Sequence, residues 1–394
     1  MSARDGELGD VRIRVSRLGD RVMHDHKLYS PKLHMDHLEP PPSGEPTMLN
    51  ASFDRVLLLA TLPDLETPHF LGPAIANAAR CARERLVIVL YSRSFNSRRV
   101  PPQQFSPSSK HEHRSSIHSI DMDISHVALW DEVQRILTYA YVQATAIAQE
   151  LDRMLFEVDV LLKGLDEELP TGLSEGMEIT FRIEGDCIPA PIPASVTSLR
   201  TKWCPRSLES RAVTPVSNQV ASAEPSSYRV VALGGTFDHL HAGHKILLGM
   251  AAWIADEKII VGVTDDALLK TKKHREYLED ITTRIRRTRE FLELVKPGIE
   301  YYIVPLHDVY GPTGEDPDVQ ALVVSHETIS GGQAIDEIRR ERSLPPLRTF
   351  IIDVISHSDS RLDPADVEAL KHTKMSSTFI REWIARNQTR HKTD

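Results

Sequence analysis

A segment near the middle of the chain gathers glycine, threonine and histidine residues that together can hold phosphate. It reads Gly-Gly-Thr-Phe-Asp-His-Leu-His-Ala-Gly-His over residues 234–244, between an apolar run at 229–233 and a helical pattern at 245–255. This order predicts a strand, a glycine turn and the first turn of a helix. Glycines let a ligand approach the backbone, and the free N–H groups and dipole of a helix N-terminus favour an anion. His241 and His244, three residues apart, would share one side of that turn and donate to phosphate oxygens.

A second segment with chemical potential lies far along the chain, at residues 374–381. It reads Lys-Met-Ser-Ser-Thr-Phe-Ile-Arg. Two serines before an apolar helix are typical of a helix N-cap, so an ordinary cap beside a surface lysine is one interpretation. Beside the histidine segment we favour another, in which Lys374, the hydroxyls and Arg381 surround a polyphosphate. A metal site at the histidines is disfavoured, because two ligands without a third nearby in sequence hold a metal poorly.

The elements around these segments predict a Rossmann-like, doubly wound five-stranded parallel sheet in the C-terminal half. Near-continuous apolar strands alternate with helices, which is typical of a parallel sheet covered on both faces. Ligands of such sheets bind beyond the carboxyl ends of the strands. The predicted strands are 229–233, 259–263, 301–304, 321–324 and 350–354, and the predicted helices are 245–255, 281–295, 334–342 and 378–386.

The N-terminal half predicts a smaller α/β or α+β domain. Apolar runs at 56–60 and 86–90 flank a helical pattern at 74–83. Apolar positions at helical spacing over 131–162 predict one long helix or two, with the apolar stripe forming core. The expected organisation is a disordered tail at 1–50, a domain at 51–205 with a flexible insert near 92–120, a linker at 206–227 and a nucleotide-binding domain at 228–394.

Composition excludes several classes of function. The chain has 394 residues, a net charge of -9 and 3 cysteines without CxxC spacing. Without a long basic stripe or an apolar run of ~20 residues, we expect neither nucleic-acid binding nor a membrane span. The cysteine usage and the absence of an apolar secretory signal predict a cytoplasmic protein.

The two phosphate-binding segments resemble those of the nucleotidylyltransferase superfamily. Within it, residues 234–244 are similar to the eukaryotic and archaeal type of phosphopantetheine adenylyltransferase, and the resemblance spans about 229–386. Other matching segments are 262–265, 268–270, 310–312, 323–328 and 331–332. No GxxxxGK[ST] loop occurs, so the resemblance is to the stand-alone form of fungi. It implies that ATP and 4′-phosphopantetheine give dephospho-coenzyme A and pyrophosphate, with Mg²⁺ carried on ATP and no dedicated metal site on the protein.

The resemblance also implies residue roles. His244 would contact the α-phosphate with His241 beside it, and Thr236 would bridge the attacking phosphate and the triphosphate. Lys270, with Lys272 and Lys273 as neighbours, would hold phosphopantetheine. The implied nucleotide-binding residues are Gly234, Gly235, Phe237, Gly243, Lys374, Ser376, Ser377, Thr378 and Arg381. The bacterial type has an arginine after its fourth strand where this chain has His326-Glu327, so bacterial contacts in that loop do not transfer.

The chemistry implied needs no strong general base. The attacking phosphate oxygen is already anionic, so positioning and charge neutralisation carry the reaction. Asp238 or Asp265 could hold metal or ribose.

Two other functions remain open. A cytidylyltransferase of lipid headgroup synthesis shares the HxGH element but typically ends in an Arg-Thr-Glu-Gly-Ile-Ser-Thr-Ser-like segment, which is absent here. A scaffold for other coenzyme A biosynthesis enzymes is a second possibility, with the N-terminal half as the binding module. Because all implied site residues follow residue 226, that C-terminal segment is expected to fold and act alone.

Overall fold

Two parallel five-stranded sheets organise the molecule, one in each half of the chain. The computed structural model describes residues 51–96, 125–207, 225–308, 310–352 and 376–390. The expected disordered tail, most of the predicted insert and linker, and Lys374 lie outside these residues. Everything described belongs to one compact unit.

The N-terminal half is an α/β structure with a parallel sheet, so of the two expected classes, α/β and α+β, the first is observed. Long apolar runs form its central strands, and their middle residues are fully buried. Its strands are β1 (Phe53–Thr61), β2 (Ala82–Tyr91), β3 (Glu157–Lys163), β4 (Ile179–Ile183) and β5 (Arg200–Cys204), and its helices are α1 (Gly72–Cys81), α2 (Trp130–Glu150) and α3 (Ala194–Thr197).

The C-terminal half has the expected Rossmann-like sheet, and this prediction is confirmed. Its helix starts follow local signals, as where the Asp280 side chain accepts a hydrogen bond from Thr283 N at 3.0 Å. The strands are β6 (Tyr228–Gly235), β7 (Ala255–Thr264), β8 (Glu300–Leu306), β9 (Ala321–Ser325) and β10 (Arg348–Ile352), and the helices are α4 (Ala242–Ile254), α5 (Ile281–Val295), α6 (Ile329–Glu341) and α7 (Ser377–Arg390).

The two sheets share one strand order. It runs β3-β2-β1-β4-β5 in the N-terminal half and β8-β7-β6-β9-β10 in the C-terminal half. In each sheet the first strand therefore lies centrally, between the second and the fourth. The carboxyl end of β6 lies at the switch point of its sheet, where ligands of this architecture bind.

The helix predicted over 131–162 is shorter than expected. α2 ends at Glu150, Asp152 adopts a positive φ of 54°, and residues Glu157–Lys163 form β3. The prediction of one or two helices through residue 162 was therefore wrong at its C-terminal end. Leu151, Met154 and Leu155 continue the helical spacing of apolar positions past Glu150, whereas Val158 and Val160 alternate with polar residues as in a strand. The apolar face of α2 is buried as core, as predicted.

The cores of the two halves merge. One hydrophobic cluster contains Val133 and Leu137 of α2 together with Leu248 and Trp253 of α4. Trp253 Nε1 donates to the carbonyl oxygen of His126 at 2.8 Å, and the two rings stack at 4.0 Å. Among the described helices, none is long and apolar enough to cross a bilayer.

Candidate active site

The loop that leaves β6 is held in an unusual backbone conformation. Phe237 and His239 have positive φ values of 50° and 44°. The Phe237 ring folds back under β6, so a Cβ at Gly235 would lie 3.1 Å from its Cζ. Only glycine fits there without displacing the ring, which explains the glycine before Thr236. The loop thereby brings the chain to the start of α4.

His241 and His244 form a stacked pair at the N-terminus of α4. His241 is the N-cap residue and His244 lies in the first turn. Their ring centroids are 4.0 Å apart with an interplanar angle of 26°. A Cβ at Gly243 would lie 3.2 Å from His241 Cε1, so the glycine leaves room for the stack. The structure thus brings together the two histidines as the sequence predicted.

Both imidazoles have a buried nitrogen that no described residue contacts with a hydrogen bond. Nδ1 of His241 and Nδ1 of His244 are enclosed, and neither finds a hydrogen-bond partner among the described residues. Burial, with the charges of His239 and Lys245 adding to it, lowers the pKa of His241 to about 4. Burial and the neighbouring His241 lower the pKa of His244 well below its ordinary value. Both rings are therefore neutral at physiological pH. Buried polar atoms in proteins normally have a hydrogen-bond partner, so these nitrogens are candidates for bonds to a ligand or to water.

The lowered pKa values predict that the free energy of unfolding decreases in mild acid. In the unfolded chain His241 protonates near pH 6.5, whereas in the folded protein it resists protonation down to about pH 4. Its contribution is therefore complete above pH 6.5 and is lost as pH falls towards 4, by up to about 3 kcal/mol. Urea unfolding at several pH values should show this decline, and His241→Asn should make it shallower. Identical pH slopes for both proteins would refute the buried neutral state.

Arg284 fixes the carboxyl ends of β6 and β7 relative to α5. Its side chain is fully buried, and its Nη1 donates to the carbonyl oxygens of Thr236 and Thr264 at 2.8 Å each. Its Nε donates to the carbonyl of Glu279 at 2.9 Å, and its Nη2 contacts Asp266. Arg284 is not among the site residues predicted from sequence.

The start of α7 docks on the β6–α4 loop, so the two distant sequence segments meet. Ser377 Oγ donates to the carbonyl oxygen of Asp238 at 2.8 Å. Ser376 Oγ accepts from Phe379 N at 3.2 Å, which is the expected N-cap. Thr378, the third hydroxyl of this segment, is only partly buried at the same helix start.

Arg381 points inward instead of into an open phosphate site. It is 1% exposed, its Nη1 pairs with the fully buried Asp238, and its Nε donates to the Lys273 carbonyl at 3.0 Å. Its Nη2 donates to Thr378 Oγ1 at 3.1 Å. The expectation that Arg381 contacts the outer phosphates directly does not fit this burial. The same ion pair occupies Asp238, which therefore does not fit the expected metal or ribose contact.

Asp238, His239 and Glu279 are close enough to share a metal ion, but their atoms already bond one another. Glu279 N donates to Asp238 Oδ1 at 3.0 Å, and His239 N donates to Glu279 Oε2 at 2.8 Å. Arg287 also pairs with Glu279 at 3.0 Å. These bonds explain the cluster as a brace of the loop, without a metal.

The predicted lysines lie on the neighbouring loop. Lys270 and Lys272 are exposed side chains after β7 and are not part of the buried histidine pair. β6 and β7 are parallel neighbours, and Gly234 pairs with Gly262 in register. The carboxyl ends of both strands therefore lie at the same edge of the sheet. The loop after β7 that carries the lysines, the lysine loop, thus lies beside the loop after β6 that leads to the histidine pair. Asp265 caps the start of that loop by accepting from Ala267 N at 2.8 Å.

Comparison with known proteins identifies the C-terminal half. Residues 232–383 match the family model described as cytidylyltransferase-like. A phosphopantetheine adenylyltransferase of Saccharomyces cerevisiae is 40% identical over 161 residues, which are 41% of this chain and 50% of that protein. Proteins of the same name from Methanopyrus kandleri and Pyrobaculum aerophilum are 39% and 35% identical, over 34% and 41% of this chain and 84% and 96% of their own lengths.

The match thus spans about half of the yeast relative but most of each archaeal one. The matched region contains the histidine pair, the lysine loop and the start of α7. The chain therefore belongs to the phosphopantetheine adenylyltransferase family.

Proposed function

We propose that the chain transfers the adenylyl group of ATP to 4′-phosphopantetheine, which gives dephospho-coenzyme A and pyrophosphate. The observation that carries this proposal is the stacked pair His241 and His244, neutral and with unpartnered nitrogens, at the start of α4. Relatives named for this activity match the same region. The nucleotide-binding half, with the boundaries 228–394 expected from sequence, would carry the reaction.

In the proposed reaction, an anionic oxygen of the phosphopantetheine phosphate attacks the α-phosphorus of ATP. A new P–O bond forms, the bond between the α-phosphorus and the bridging oxygen breaks, and pyrophosphate leaves with the electron pair. Neutral His244 donates a hydrogen bond to the α-phosphate as charge redistributes there, and His241 donates from the same side. Buried donors held in place before the reaction stabilise such charge strongly. The chain needs no general base, because the nucleophile is already ionised.

Backbone and hydroxyl groups would complete the phosphate site. Gly234, Gly235 and Gly243 allow close approach of the triphosphate, and Thr236 lies between the two substrates. The hydroxyls of Ser376 and Thr378 offer donors from the start of α7, and Lys374 precedes them in sequence. The hydroxyl of Ser377 already donates to Asp238, so we assign Ser377 the docking of α7 on the loop. We assign Arg381 an indirect role, in which its pair with Asp238 holds α7 against the loop. Phe237 supports the site by packing 5.4 Å from His244.

Mg²⁺ would enter with ATP. The possible metal ligands that lie close together near the site, Asp238, His239 and Glu279, are bonded to one another and to Arg381 and Arg287. Such a set fits an ion held by the triphosphate better than one held by the protein. The ion supplies positive charge to the phosphates, and this chain's residues orient them.

Lys270→Ala is expected to weaken binding of phosphopantetheine and to leave ATP binding and kcat nearly unchanged. An exposed lysine on the loop after β7 would hold the phosphate of the second substrate before and during reaction, so its loss raises KM at nearly constant kcat. We expect at least a 10-fold increase in KM for phosphopantetheine and less than a 2-fold change for ATP. Steady-state kinetics with each substrate varied in turn measure this. Lys272→Ala and Lys273→Ala serve as matched controls, and a larger effect in either would move the assignment to that lysine.

Pyrophosphate release tests the proposed function directly. With ATP and Mg²⁺, release should require 4′-phosphopantetheine. A parallel reaction with CTP and phosphocholine tests a cytidylyltransferase, which the family description also names. Equal or faster turnover with CTP and the phosphorylated alcohol would replace the present proposal. No turnover with either pair would favour a scaffold for other coenzyme A biosynthesis enzymes.

We further propose that the protein acts in the cytoplasm. Its three cysteines, Cys81, Cys187 and Cys204, are free thiols. Free thiols at buried positions are typical of a reducing compartment.

A further inference from the structure

The residue after His244 is a buried lysine whose ammonium group donates, among the described residues, only to the other half of the molecule. Lys245 is 7% exposed. Its Nζ donates to the carbonyl oxygen of Val158 at 2.8 Å and to Asp159 Oδ1 at 2.6 Å. Both acceptors belong to β3 of the N-terminal sheet. A cation in the first turn of a helix is disfavoured by the helix dipole, so the position of Lys245 is not explained by the stability of α4 itself.

Asp159 is built to hold this lysine in one place. It is 3% exposed, and its other oxygen, Oδ2, accepts from Arg85 Nε at 2.8 Å and Nη2 at 2.6 Å. Burial acts to raise the pKa of Asp159, but Lys245 and Arg85 outweigh it and hold the pKa below the ordinary value. The carboxylate is therefore ionised at neutral pH. A buried carboxylate with a separate cation on each oxygen has little freedom to move.

This pair connects to the histidines through the first turn of α4. Lys245 N donates to the carbonyl oxygen of His241 at 3.0 Å, which is the bond that begins the helix. His241 and Lys245 are four residues apart, so they lie on the same side of α4. Together with Tyr141, Glu157 and Val158 they line a cavity of about 220 Å³ between the two halves. A shift of Lys245 therefore shifts the backbone that carries both imidazoles.

We propose that Asp159 is a positioning residue for the histidine pair and acts through Lys245. The N-terminal sheet, which carries Asp159 on β3, then helps to hold the two imidazoles in place for the reaction. This inference rests on the proposed function. A displacement of a preorganised donor by about 1 Å costs much of its effect on the transition state. Ground-state binding of ATP depends on many other contacts and should change less.

The test compares Asp159→Asn, Lys245→Met and the double variant in the full-length chain. We expect each single variant to lower kcat at least 10-fold with KM for ATP within 3-fold. The double variant should have the same kcat as the single variants, because the connection is already broken by either change. Leu59→Ala is the matched control: Leu59 lies in a separate core cluster of the N-terminal sheet, on β1, which is separated from β3 by β2. It should lower the melting temperature and leave kcat of the folded protein within 2-fold.

Hydrogen exchange supplies a readout that is independent of activity. Amides of residues 245–248, the first hydrogen-bonded amides of α4, should exchange at least 10-fold faster in Asp159→Asn and Lys245→Met than in the wild type or Leu59→Ala. If the proposed reaction is wrong, the wild type itself will show no turnover with these substrates. The faster exchange in the two variants is expected even then, because it does not depend on the reaction. Unchanged exchange, or kcat values within 2-fold of wild type in both single variants, would overturn the positioning role.

Discussion

His244→Ala is expected to lower kcat by about 100- to 1000-fold, the loss typical for one preorganised donor. The imidazole is neutral and buried with an unpartnered nitrogen, so it is ready to donate to the α-phosphate. KM for ATP should change by less than 3-fold, because the contact strengthens only as charge shifts in the transition state. Steady-state kinetics and thermal unfolding of the variant measure the two effects separately.

A rival interpretation makes His244 an ordinary packed residue at a helix start. The variant would then melt at a lower temperature but turn over normally. His69→Ala is a useful control, since it removes a ring that packs 5.2 Å from Tyr139 in the N-terminal half. It should reduce stability without reducing kcat. A destabilised but fully active His244→Ala enzyme would contradict the mechanism.

Removal of the N-terminal half is expected to abolish stable folding of the remainder. This reverses the expectation from sequence that residues 226–394 suffice. α2 packs on α4 with Leu137 at 3.6 Å from the Cβ position of Gly249, and the rings of Trp130 and Phe350 pack at 4.7 Å between centroids, tilted by 43°. Each large apolar side chain exposed costs about 1.5–3 kcal/mol, and only a few such losses equal the stability of a domain. Lys245 would also lose its partner Asp159.

The fragment 226–394 should therefore aggregate or melt at least 10 °C below the full chain, with activity reduced more than 100-fold. Circular dichroism and the pyrophosphate assay measure this. Removal of residues 1–47 alone is the matched control: this polar, proline-rich stretch is expected from sequence to be dispensable, so its removal should leave both properties nearly unchanged. A soluble fragment with the melting temperature and kcat of the full chain would show that the halves are independent.

Much of the fold could be predicted because its signals are local. Apolar runs between turn residues indicated both central strands of each half, and helix α5 was predicted with its observed ends, Ile281–Val295. The end of α2 was missed because Leu151, Met154 and Leu155 continue the helical spacing of apolar residues beyond Glu150. The positive φ at Asp152 breaks the helix there, and aspartate tolerates that conformation better than most residues.

The site was predicted only where its chemistry lies in short motifs. The histidine pair and the serine cap could be found from sequence for that reason. Arg284 was missed, although a signal existed: it falls on the apolar stripe of α5, between Ile281 and Thr288. An arginine on a core-facing stripe must find buried acceptors. Lys245 and Asp159 are 86 residues apart in sequence. A contact between such distant residues produces no local sequence pattern, so it could not be predicted from the sequence.

The direct test of the proposed reaction is mass spectrometry of the product formed from ATP, Mg²⁺ and 4′-phosphopantetheine. The wild-type chain should form dephospho-coenzyme A with one equivalent of pyrophosphate, and His244→Ala should form it at least 100-fold more slowly. Absence of dephospho-coenzyme A with the folded wild-type chain, or equal rates for the two proteins, would contradict adenylyl transfer at the histidine pair.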